Sequence, residues 1–158
     1  MPQREDMNKI IDTIYNIRKS LLSLIEDLSI EQLNEIPPGF TNNIIWNLAH
    51  ITAGTQKIFY VRAGLHGPFD EPFVEKYQRG TKPETKVDAQ EVAYIKEMLL
   101  SSILSFAKEY EKGNFNYIPW KTIYNVEINT MEDAINFVPF HDGLHYGYIM
   151  ALKRFVAI

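Results

Sequence analysis

The sequence predicts an all-α fold, a four-helix bundle with long connections after helices 2 and 3. Three observations carry that prediction. Apolar residues recur at three- and four-residue spacing through four long stretches, capping residues precede the later ones, and segments rich in glycine, proline and charge fall between them. No internal repeat or low-complexity tract interrupts the pattern, so residues 1–158 read as one domain.

The first helix is expected from Asp6 to Leu28, where Ile10, Ile11, Ile14, Ile17, Leu21, Leu22, Leu24 and Ile25 share one side. Ser29 with Gln32 fits a capping box, predicting a short helical turn over Ile30 to Asn34 before Pro37-Pro38-Gly39. Thr41, Asn42 or Asn43 caps the second helix, from Ile44 to Ala63, which Gly64 stops. Residues 64–87 hold Gly67-Pro68, Glu71-Pro72, Arg79-Gly80 and Lys82-Pro83 without periodicity. They read as a long ordered loop, either functional or a strap over the end of the bundle.

Asp88 with Glu91 caps the third helix, Ala89 to Lys112, carrying Val92, Ile95, Met98, Leu99, Ile103, Leu104 and Phe106. Residues 114–129 are richer in β-branched and aromatic side chains and read as a short hairpin or an extended connection. Thr130 with Asp133 caps the fourth helix, Met131 to Val156. Its stripe is Ala134, Ile135, Val138, His141, Leu144, His145, Tyr148, Ile149 and Leu152.

Composition narrows the chemistry. With 46% hydrophobic residues in 158, the chain can bury a sizeable core without disulfides, and it has no cysteine to supply a thiolate ligand or nucleophile. A net charge of -4 argues against a partner held by its phosphate backbone, so no nucleic acid is expected. No apolar run is long enough to span a bilayer and the N-terminus is polar, which predicts a cytoplasmic protein without membrane association.

The chemistry-bearing stretch is His141-Asp142-Gly143-Leu144-His145, which sets two imidazoles one helical turn apart on one face. Two such rings can reach one metal ion at about 2.0–2.1 Å if other ligands complete the sphere. The candidate third ligand is His50, set in the apolar run Ile44-Ile45-Trp46-Asn47-Leu48-Ala49-His50-Ile51, where an unexplained imidazole is costly to bury. The plainer alternative is a set of satisfied core histidines. Gly143 and Gly147 weigh against it: glycine inside a helix costs about 1 kcal/mol relative to alanine. Close approach of another helix or a ligand is the favoured reason for accepting that cost, loose surface positions the dull one. Gly54 leaves a similar gap one turn after His50.

Trp46 faces the same way as His50, as a core anchor or as a wall of the site, and Tyr148 is a further candidate for the pocket or its surroundings. Asp142 copies the carboxylate position of H-E-x-x-H, where it would be a general base. Aspartate is one methylene shorter, and the 13 residues after His145 contain no His, Asp or Glu, so Asp142 reads as an outer-sphere or solvated group. His66, in a glycine-flanked turn, reads as exposed and is not counted as a ligand.

Two motifs together resemble the DinB-like superfamily, which also holds the YfiT-type bacillithiol transferases and mycothiol-dependent enzymes. Ile45-Trp46-Asn47-Leu48-Ala49-His50-Ile51 is similar to the family's second-helix motif, and His141-x-x-x-His145-Tyr146-Gly147-Tyr148-Ile149 to its fourth-helix motif. The resemblance implies DinB-like topology, an up-down-down-up bundle in which His50, His141 and His145 hold a divalent metal ion, often zinc or nickel, and frequent homodimers. Its activities imply transfer of a low-molecular-weight thiol to a small-molecule electrophile in detoxification or stress. Metal-dependent hydrolysis is the alternative chemistry, and a non-catalytic dimeric metal-binding module the alternative class.

Overall fold

The computed structural model describes residues 4–113 and 115–157, without the side chain of Arg4. Met1 to Gln3, expected ahead of the first helix, and Asn114, expected to head the β-rich stretch, lie outside the described residues. The elements in order are α1 (Arg4–Leu24), α2 (Ile30–Asn34), α3 (Ile44–Thr55), α4 (Glu71–Tyr77), α5 (Ala89–Lys112), β1 (Trp120–Lys121), β2 (Glu127–Ile128) and α6 (Met131–Val156). The fold is all-α, with α1, α3, α5 and α6 as its four long helices.

The caps explain the boundaries. Ser29 and Gln32 close a capping box on α2, Asn43 Oδ1 accepts from the Trp46 backbone N–H at the start of α3, and Thr130 with Asp133 closes a second box on α6. The first helix ends at Leu24 rather than Leu28; the chain continues in tight turns that still bury Ile25 and Leu28. After α3 the chain stays helical but changes pitch, through a π turn over Gln56–Tyr60 and a 3-10 turn over Val61–Ala63, and Gly64 ends it with φ of 68°.

The segment 64–87 is not all loop, because it contains α4. Asp70 caps that helix, Pro72 stands in its first turn, and Phe73 and Tyr77 bury one face. The segment is pinned to the bundle at both ends: Gln56 Oε1 accepts from the Phe69 backbone N–H, and the Asn34 side chain bonds both the N–H and the carbonyl of Val87. The β-rich stretch forms only a two-rung antiparallel ladder, Trp120 opposite Ile128 and Lys121 opposite Glu127.

Helix α1 packs on α5 and α6, and α3 packs on the same two, so α1 and α3 occupy opposite corners. The core is divided into two apolar clusters. One holds Leu21, Ile25, Ala53, Leu99, Ile149 and Leu152; the other Ile14, Ile58, Ile103, Phe106 and Val138. Between Ile14 and Leu21 on α1 falls Arg18, between Leu99 and Ile103 on α5 falls Ser102, and between Val138 and Ile149 on α6 fall His141, Asp142 and His145. A polar layer therefore crosses the bundle at mid-height. Two residues of the expected stripes, Leu104 and Leu144, are half exposed instead of buried.

Candidate metal centre

Helix α3 contributes His50 and α6 contributes His141 and His145. The ring centroids of His50 lie 5.5 Å from His141 and 4.7 Å from His145, and the latter two are 4.8 Å apart. One ring nitrogen from each falls within 4.8 Å of the others. A tetrahedral ion with metal–nitrogen bonds near 2.0–2.1 Å wants its nitrogens roughly 3.4 Å apart, so the rings would draw together around a bound ion.

Each imidazole is oriented through its Nδ1. His50 Nδ1 donates to the Tyr77 carbonyl at 2.8 Å, one of the carbonyls that the C-terminus of α4 leaves without a helical partner. His145 Nδ1 donates to Asn47 Oδ1 at 2.8 Å. The Asn47 amide cannot turn round, because its Nδ2 already donates to Asn42 Oδ1 and to the Asn43 carbonyl. His141 Nδ1 lies 3.4 Å from Asp142 Oδ1. With Nδ1 engaged in all three rings, the Nε2 lone pairs are the free donors, and imidazoles held by oxygen acceptors in this way suit a divalent metal ion. Replacing Asn47 with leucine should lower divalent-metal affinity by about 10- to 100-fold, the usual cost of losing an outer hydrogen-bond partner, which zinc titration against a competing chelator would measure.

Asp142 is fully buried, and Arg18 is buried with it. Arg18 Nε donates to Asp142 Oδ2 at 2.7 Å, its Nη2 to Oδ1 at 3.4 Å, and its Nη1 to the Leu99 carbonyl at 3.3 Å. Burial alone would raise the Asp142 pKa; the Arg18 guanidinium overrides it and holds the carboxyl below its usual range. Of the two readings of Asp142, solvated or outer-sphere, burial removes the first: its oxygens face the Arg18 guanidinium and His141 Nδ1 rather than solvent.

Burial sets the protonation of two of the histidines. It lowers the His50 pKa to about 4, against the opposing bond to the Tyr77 carbonyl, and lowers that of His145 to about 3, helped by the neighbouring histidines. In the unfolded chain both would take up protons near pH 6.5. Between these values the unfolded state binds more protons, so stability rises with pH; it is complete above about 6.5 and is lost as pH falls toward 4. For His50 alone the loss amounts to roughly 3 kcal/mol, at about 1.4 kcal/mol per pH unit. Urea midpoints of the metal-free protein should therefore drop from pH 7 to pH 4, and the drop should flatten in the His50→Gln/His145→Gln variant.

The three histidines border an open cavity of about 540 Å³, lined elsewhere by residues of the π and 3-10 turns, by Gln78 to Gly80, and by Trp120 to Tyr124. Trp46 lines it and stacks on His50 with centroids 4.9 Å apart and planes 11° apart. Gly54 is needed for close approach, since a Cβ there would stand 3.3 Å from His141 Cε1. Gly143 and Gly147 are different: both are exposed with nothing within 4 Å of a Cβ, so the loose-surface explanation holds for them. Tyr148 turns away from the cavity toward Phe40, 5.6 Å between centroids, and His66 is exposed in its turn.

Sequence reasoning missed Arg18, Asn47 and the Tyr77 carbonyl. The first two left signals: an arginine in register with Ile14 and Leu21, and an asparagine inside an apolar helical run. A backbone carbonyl leaves none.

A four-helix protein with two histidines on one helix, a third on the facing helix and an adjoining cavity has a group that could hold a metal ion. More narrowly, residues 13–149 match the family model of the DinB superfamily, and the chain belongs to that superfamily. No protein of curated function matches it in sequence.

Proposed function

We propose that the chain is a metal-dependent transferase that joins a low-molecular-weight thiol to an electrophilic small molecule. His50, His141 and His145 hold a divalent ion, zinc or nickel, through Nε2. The observation that carries this reading is the set of three oriented imidazoles at the edge of an open cavity; a purely structural metal would favour four protein ligands and no adjoining space. The bound ion would keep a coordinated thiol deprotonated at neutral pH, a role the cysteine-free chain cannot fill itself.

The protein's own groups orient the rings, exclude bulk water from the half-buried histidines and receive both substrates in one cavity. In the transfer a sulfur–carbon bond forms as the carbon–leaving-group bond breaks, and the thiol proton departs with the leaving group, or protonates the oxygen released when an epoxide opens. Asp142 is not the proton relay that hydrolysis would want, because Arg18 occupies it inside the core. The resemblance supports a homodimeric detoxification role.

Metal analysis of purified protein, followed by incubation of the zinc- or nickel-loaded form with monochlorobimane and single thiols, tests the proposal. Metal-dependent thiol adducts that a chelator abolishes are expected. Ester or amide turnover without thiol, or no bound metal, would overturn it.

A further inference from the structure

The cavity wall has a charge pattern the chain as a whole does not share. The sequence carries 20 acidic and 16 basic side chains, yet Lys57, Arg62, Arg79 and Lys121 line the cavity and, among the described residues, no aspartate or glutamate does. Lys121 is answered by Glu127 at 3.9 Å across the small ladder. The other three meet no carboxylate among the described residues. Lys57 Nζ donates to Gln78 Oε1 at 2.6 Å; Arg62 Nη1 donates to the Pro119 carbonyl at 3.4 Å while its guanidinium lies 5.2 Å from the Trp120 ring.

The positions are not scattered. Lys57 stands seven residues beyond His50 on the helical continuation of α3, Arg62 on the 3-10 turn that follows, and Arg79 just after α4. The lining also has apolar members, among them Ile123, Phe137 and Leu144. Cations lining a cleft focus a positive potential into it and favour a ligand of opposite charge. Lys57 and Arg62 meet neutral partners and Arg79 meets no carboxylate among the described residues, so all three can give charge-assisted hydrogen bonds to an oxyanion.

We propose that the cavity takes an anionic co-substrate, a small molecule carrying carboxylate or phosphate groups held by Lys57, Arg62 and Arg79, with the apolar members of the lining receiving the electrophile. This deepens the proposed transferase by naming the charge of its thiol, and rests on reading that cavity as its substrate site.

Calorimetric titration tests it on metal-free and zinc-loaded protein with four probes: mercaptosuccinate, 2-mercaptoethanol, succinate and inorganic phosphate. Mercaptosuccinate should bind the loaded protein at least about tenfold more tightly than 2-mercaptoethanol, the equivalent of one charge-assisted contact. Succinate should bind the metal-free protein and weaken as salt rises. In Lys57→Gln/Arg62→Gln/Arg79→Gln both effects should vanish while zinc content and circular dichroism stay as in the parent.

Equal affinity for neutral and anionic thiols, or an anion preference that survives the triple substitution, overturns the proposal. Succinate binding without thiol binding supports the anion site and removes the transferase reading instead. Phosphate displacing succinate supports the site and assigns it to phosphorylated ligands; succinate resisting phosphate supports it and assigns it to carboxylates.

Discussion

Substituting alanine for His145 is expected to abolish stoichiometric zinc or nickel binding while leaving the helical circular dichroism in place. Among the described residues His145 supplies one of three clustered donors, and its ring nitrogen lies within 4.8 Å of the other two. Losing a ligand outright costs more than the roughly 10- to 100-fold that removal of an outer partner costs, so two imidazoles should not hold an ion through gel filtration. The fold should survive, because the ring is only part-buried and the α6 core contacts at Ile149 and Leu152 are untouched. Elemental analysis of the purified variant checks the result. One full equivalent of metal in the variant would remove the three-histidine site, whereas a collapsed spectrum would make the metal structural.

The second large effect is predicted at Arg18. Replacing it with methionine leaves the Asp142 carboxylate in the core without its cation, a change that typically costs 3–5 kcal/mol. For a chain of this size that lowers the melting temperature by on the order of 10 °C. The double change Arg18→Met/Asp142→Leu should recover most of the loss, since a buried ion pair and a well-packed apolar pair are often close in stability. Thermal melts of the parent, both single variants and the double variant would measure the coupling; additive effects would mean that the pair does not act as a unit.

The two predictions also show what could be read in the sequence and what could not. Helical spacing located the four long helices, and the boxes Ser29–Gln32 and Thr130–Asp133 placed two starts to the residue, because capping is a local interaction. The histidines stood out for the same reason: imidazoles in apolar runs break a pattern. Arg18 breaks one too, but its partner Asp142 lies 124 residues away in the chain, and only the fold brings the two together.

Helix α4 escaped because seven residues are too few to display a period, although Asp70, Pro72 and the Phe73/Tyr77 spacing were its signals. Its function lies in one carbonyl, which orients His50, and main-chain groups are the same at every position. Tyr148 was assigned by face alone; a neighbouring aromatic, Phe40, drew it away from the cavity.

The band of Arg18, Ser102, Asp142 and the histidines has an evolutionary side. A lineage selected only for heat tolerance would be drawn to aliphatic replacements there, welding the upper and lower oily halves into one. Taken singly such steps strand a buried partner, as at Arg18, whereas taken together they would cost little stability and erase the histidine cluster. The seam between the halves is therefore best understood as ground that selection for chemistry has to keep defending against selection for mere durability.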